Sequence, residues 1–285
     1  MISINNKSLI HFAILIFVVS SVAGCNGYDI PAVDSQGLGS NIPQDSTTGS
    51  QGVGPSQSTG GNSSSSTNPQ IKPYDSSKRP AITSGMNSHW AQVNAPIKNS
   101  SGQRDPNKYI EVLEQFDVQN SYPARYKPGG AGNDDTRCNI YAGDVMRAMG
   151  AALPTKGELG KGQGSAGPNK DPMTAQAPLL YDFLNGRIQL VNSNDGAVGG
   201  WRRVDVNNPA DMNLLKSHLE SGKPAVASDP GHIAVLRPDG LPNQITKDNV
   251  SQLRVAQAGA RNFNNSTLAD SGYGGAFQPE IFIHD

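Results

Sequence analysis

Cys138 sits near the start of TRCNIYAGDVMRAMG (residues 136–150), and His232 sits near the start of GHIAVLRPDG (residues 231–240). A thiol and an imidazole are the two groups of a nucleophile and its general base. The imidazole takes the thiol proton, the thiolate attacks a carbonyl carbon, and the imidazolium returns the proton to the leaving amine. Cys138 falls in the first turn of a helical pattern, where unpaired N–H groups and the macrodipole favour thiolate, and Arg137 adds positive charge. A third group has to orient the imidazole through its other nitrogen. Gln257 in RVAQAGARNF (residues 254–263) is the first candidate and Asn262 the second. The backbone N–H of Cys138, with the hydroxyl of Tyr126, would hold a developing oxyanion.

The chain has five histidines, and the other four are read as bystanders. His11 belongs to the leader, and His218 is placed on a solvated helix face. His89 lies at the domain's start and His284 at the chain's end, where fraying is expected.

The elements that must position these groups are legible as patterns. Cys138, Ala142, Val145 and Met149 form one stripe of a helix, with Thr136 as N-cap and Gly150 beyond its end. PMTAQAPLLYDFLNG predicts a second helix starting near Pro172 and ended by Gly186, with Pro178 as a breaker, and NPADMNLLKSHLESG a third that starts at Asn208 or Asp211 and has Gly222 just beyond its end. Strands are predicted over residues 187–191, 201–206, 224–228, 232–236, 253–257 and 280–284. The order implies an α+β fold in which a helix carrying the cysteine packs on a mostly antiparallel sheet carrying the histidine. Residues 155–171, rich in Gly and Lys, are expected as a surface loop.

Neither a metal nor a cofactor is expected. Asn133, Asp134 and Asp135 lack the alternating ligands and terminal Glu of a calcium loop. Gly160, Gly162 and Gly164 lack the Lys-Ser/Thr and preceding strand of a phosphate loop. Trp90 and Trp201 suit a sugar-binding groove or a core position equally.

The N-terminus has Lys7 ahead of a largely apolar run over residues 9–19, so residues 1–24 read as an export signal. Val22-Ala23-Gly24-Cys25 resembles a bacterial lipobox, which makes Cys25 the lipidated residue of a mature lipoprotein. That assignment leaves Cys138 as a thiol in a fold resting on no disulfide. A Cys25–Cys138 bridge is the competing arrangement, set aside because closing it over a long tether costs entropy. Residues 35–77 are Ser, Gly, Gln, Asn, Thr and Pro with few apolar positions, which cannot offset chain entropy by burial. The plan is therefore a lipid anchor and tether over residues 25–78 and one domain over residues 79–285. A net charge of −1 and a pI near 6.5 leave no electrostatic footprint for nucleic acid.

RYKPGGAGNDDTRCNIYAGDVMRAMG (residues 125–150), with its tyrosine, its Gly-Gly pair and a cysteine opening a helix, resembles the nucleophile segment of NlpC-type and CHAP-type cysteine peptidases. GHIAVLRPDG resembles their histidine strand, and RVAQAGARNFN the strand bearing the third polar residue. The resemblance covers roughly residues 109–285. NlpC-type enzymes usually carry Asp-Cys-Ser-Gly where this chain has Arg137-Cys138-Asn139-Ile140. What it implies is a papain-like fold and hydrolysis of peptide or amide bonds in bacterial peptidoglycan, with Cys138 as nucleophile and His232 as base. A monomer is expected, anchored in the cell envelope by the lipid on Cys25. Asn26, in place of the aspartate linked to inner-membrane retention, points to the outer membrane. The rival readings are a non-enzymatic peptidoglycan-binding or scaffolding lipoprotein, and a thiol-dependent transferase or amidase turned on another cell's wall.

Overall fold

A computed structural model describes residues 71–88, 91–122, 124–128, 137–161, 174–191, 198–271, 273 and 279–285. The expected export signal, Cys25, most of the tether, His89, Trp90, the Asn133–Asp135 turn, Thr136, Pro172 and much of the 155–171 loop lie outside these residues.

The fold is α+β. Its helices are α1 (Pro106–Gln115), α2 (Cys138–Ala148), α3 (Ala177–Leu184) and α4 (Pro209–Glu220). Its strands are β1 (Trp201–Val204), β2 (Ala225–Ser228), β3 (Ile233–Leu236), β4 (Arg254–Gln257), β5 (Phe263–Thr267) and β6 (Glu280–His284). They form one open sheet in the order β1-β6-β2-β3-β4-β5, every neighbouring pair antiparallel. β2 and β3 are buried along their whole length, and α2 packs across β3 and β4.

Helix α1 is an element beyond the three helices expected from the sequence. Asp105 accepts from Lys108 N at 2.8 Å as the N-cap, Pro106 occupies the first turn, and Tyr109, Ile110, Val112 and Leu113 are buried. Helix α2 opens one residue later than expected, with Arg137 in the cap position and no side-chain cap bond. Its burial runs nearly all the way round instead of along one stripe, because Asn139 and Asp144 are also buried. Gly143 makes this possible: a Cβ there would stand 1.7 Å from Thr174 Oγ1. Beside it, Asn139 Nδ2 donates to Thr174 O at 3.0 Å. Pro178 does not break α3 but starts it, in the turn where its missing N–H costs nothing.

Residues 187–191 are not a strand. Arg187 N and Ile188 N both fold back onto Asp182 O, closing the end of α3, and Val191 N donates to Glu158 O. The polar strand β5, in contrast, was not read from the sequence at all.

Two histidines sit where solvent was expected. His284 is 8 % exposed at the end of β6, edge-on to Trp201 across the sheet at 5.2 Å between ring centroids. His218 is 3 % exposed on α4, with Nε2 donating to Pro224 O at 3.0 Å. Desolvation by burial is the largest influence on His218 and lowers its pKa to about 4. The unfolded chain therefore takes up this proton near the ordinary value of about 6.5 while the folded chain refuses it until about 4. Stability is thus lost as pH falls through that window and is fully present above it. We expect roughly 3 kcal/mol to disappear between pH 7 and pH 4 from this residue alone. Urea unfolding across that range checks it, with His218→Gln expected to flatten the slope.

Candidate functional site

The β2–β3 hairpin sets the backbone on which His232 rides. Asp229 N donates to His232 O at 3.0 Å, closing the turn around Pro230 and Gly231. The Asp229 carboxylate then accepts from Gly231 N and His232 N, both at 2.7 Å. These bonds fix the turn from inside, as Asx turns do.

Pairing with β4 places the partner. Val235 faces Ala256 and Leu236 faces Val255. Continued backwards by the same step, that register sets Ala234 against Gln257 and His232 against Gly259. Side chains at 232 and 234 share one face, so His232 and Gln257 are diagonal neighbours on it. The contact is direct: His232 Nε2 lies 2.8 Å from Gln257 Oε1. Gln257 Nε2 donates to Arg261 O at 3.2 Å, which aims Oε1 at the ring and makes His232 the Nε2–H tautomer. Nδ1 is then the basic ring nitrogen. A register shift between Val255 and Gln257 in the β4–β5 ladder lies next to this amide.

Desolvation by burial is the main influence on His232 and lowers its pKa, partly offset by the Gln257 bond and the nearby Asp229 carboxylate. The imidazole is therefore neutral at pH 7, the form a base needs.

Asn262 does not touch the ring. Its Oδ1 accepts from Gly259 N at 3.2 Å, and its Nδ2 donates to Val118 O at 3.1 Å and to Tyr126 O. It fastens the β4–β5 loop to the segments that precede α2. Tyr126 differs equally from its expected role. Its hydroxyl donates to Asp144 Oδ2 at 2.6 Å in a fully buried site, so it is not presented to a substrate oxyanion. Asp144 also receives Arg125 through two bonds of 2.6 Å, and Arg125 Nη1 reaches the carbonyls of Gly85, Ser88 and Ala91. The rings of Phe116, Tyr126 and Tyr141 pack edge to face around this pair. The sequence contained this cluster as Arg125-Tyr126 and a helical Asp144; nothing in their spacing said that they meet.

Cys138 is the first residue of α2, fully buried, and disulfide-bonded. That overturns the expectation of a thiol. The only other cysteine in the sequence is Cys25. Closure cost grows only with the logarithm of loop length, so a long intervening tether is no bar to a disulfide at Cys138. In this state the sulfur is no nucleophile. Among the described residues no group of three or more His, Cys, Asp or Glu is placed to hold a metal ion.

The Tyr126 assignment yields a measurement. Tyr126→Phe removes one buried bond to a charged acceptor and is expected to cost about 1.5–3 kcal/mol in chemical unfolding. Asp144→Ala strands the Arg125 guanidinium and is expected to cost about 3–5 kcal/mol. Any hydrolytic rate of Tyr126→Phe should stay within about threefold of the parent; a loss near the 10²-fold typical of an oxyanion donor would return the hydroxyl to that role.

No family model matches this chain, and no curated protein and no solved structure matches it either.

Proposed function

We propose that this chain is a cell-envelope cysteine hydrolase of papain-like architecture that cuts a peptide or amide bond of bacterial peptidoglycan. Cys138 would be its nucleophile, His232 its general base and Gln257 the orienting amide. The observation that carries this reading is the 2.8 Å contact between His232 Nε2 and Gln257 Oε1, on strands crossed by the helix that Cys138 opens. A neutral imidazole held in one tautomer by a neutral amide suits proton transfer at Nδ1. With the sulfur reduced, Nδ1 takes the thiol proton and Sγ adds to the carbonyl carbon. The C–N bond then breaks, the amine leaves with the proton from Nδ1, and water releases the thioester as a carboxylate.

The disulfide at Cys138 favours a second reading, in which the same fold serves as a peptidoglycan-binding scaffold and the sulfur is structural. The lipid anchor and the disulfide bear on one another, since Cys25 cannot carry a thioether lipid and bond to Cys138 at once. Export and an outer-membrane position remain part of the proposal, and among the described residues no helix is long and apolar enough to cross a membrane.

Digestion of purified peptidoglycan separates the readings. With reductant present, the hydrolase releases new amine termini or sugar–peptide products, and Cys138→Ala lowers the rate on the order of 10³-fold or more. Without reductant the parent should be silent, while Cys25→Ser should be active. Equal background release by reduced parent and Cys138→Ala, with both still retained on peptidoglycan, supports the scaffold and sinks the hydrolase.

A further inference from the structure

Gly259 is a glycine whose backbone does not require one. It is absent from the glycines held at positive φ, so an L side chain suits its conformation. What a side chain would meet there is the site itself. A Cβ at 259 would lie 3.1 Å from His232 Cε1 and 3.7 Å from Gln257 Nε2. The sheet register explains this, because 259 is the cross-strand position opposite 232, and a substituent there points onto the imidazole's own face. Asn262 Oδ1 holds the Gly259 N–H at 3.2 Å and so keeps the bare Cα against the ring. A second contact comes from Tyr273, whose ring centroid lies 5.0 Å from that of His232. Tyr273 is itself pinned, since its hydroxyl donates to Ala227 O at 2.6 Å on β2.

We infer that Gly259 and Tyr273 are positioning residues for His232: one leaves the space and the other supplies the packing that holds the imidazole on the Gln257 amide as a single tautomer. The inference rests on the proposed hydrolase reading for its purpose, but its geometry is measurable without catalysis. Gly259→Ala adds one methyl group with no backbone strain, and a 3.1 Å contact makes the ring give by a few tenths of an ångström against its bond to Oε1. Tyr273→Leu keeps the site apolar and removes the tilted ring contact. Neither residue is expected to touch substrate or to carry a proton.

The test is imidazole nitrogen NMR on the reduced full chain, combined with steady-state kinetics on peptidoglycan. The parent is expected to show His232 as one Nε2–H tautomer. Gly259→Ala should give a mixture of tautomers and lower kcat severalfold, with KM within about twofold, because a shift of a few tenths of an ångström stays below the ~1 Å misplacement that costs about 10²-fold. Gly199→Ala should change neither reading, because a Cβ at Gly199 has nothing within 4 Å. Tyr273→Leu provides the measurement should Gly259→Ala not fold, with the same tautomer mixing expected. A single Nε2–H tautomer retained in either folded variant overturns that residue's role. Tautomer mixing in a protein whose parent releases nothing from peptidoglycan upholds the positioning role and defeats the hydrolase reading alone.

Discussion

The antiparallel register of β3 on β4 is the constraint from which the rest of the site follows. Val235 opposite Ala256 leaves no freedom in what lies two and three residues away. A slip of one residue would send Gln257 to the opposite face from His232 and abolish their 2.8 Å contact. The register is set on both sides. The Asp229 carboxylate closes the β2–β3 turn through two backbone N–H groups, and Val226, Ala227 and Ser228 pair in step with Val235, Ala234 and Ile233. Burial of β2 and β3 on both faces makes any slip costly in apolar area. The polar pair thus lies on a frame that is mostly Ala, Val, Ile and Leu.

Helix α2 is tied to that frame by polar groups inside the protein. Arg125 and Asp144 are 3 % and 9 % exposed, so losing either leaves a buried charge, whereas Lys247–Asp248 on the surface contributes little. Tyr126 adds its hydroxyl to Asp144 and its carbonyl to Asn262. Asn262 then holds Gly259, which faces His232. One set of bonds therefore runs from the middle of the cysteine helix to Gly259, beside the imidazole. Side chains expected to do chemistry, Tyr126 and Asn262, instead align the segments that carry Cys138 and His232.

What could be read from the sequence was whatever repeats locally. The apolar spacing in α2, the alternation in PAVAS, HIAVL and EIFIH, and the Gly and Pro punctuation between them all mark real elements. β5 escaped because FNNST has no apolar alternation; it exists by pairing with β4, not by its own pattern. Residues 187–191 read as a strand because Ile188, Leu190 and Val191 make a short apolar, β-branched run, yet Asp182 O captures two of their amides. His218 and His284 were misplaced for a similar reason. Charged sequence neighbours say nothing of the Pro224 carbonyl that satisfies one ring, or of the Trp201 that covers the other. The His232–Gln257 contact was inferable from order and strand assignment, since two adjacent strands with polar ends offer few pairings.

The state of Cys138 turns on competition for one sulfur. Its helix begins without a side-chain cap bond from Arg137, and a disulfide at the first helical residue ties that end covalently. A disulfide there acts on the unfolded chain, where a longer closed loop removes more entropy, and it needs no help from His232 or Gln257. A structural bridge accounts for the burial of the sulfur and leaves the imidazole unexplained. His232 is kept neutral chiefly by desolvation and held in one tautomer by an amide that is itself oriented by Arg261 O. That combination adds nothing a disulfide requires, and it suits the base role proposed for His232 with the sulfur reduced.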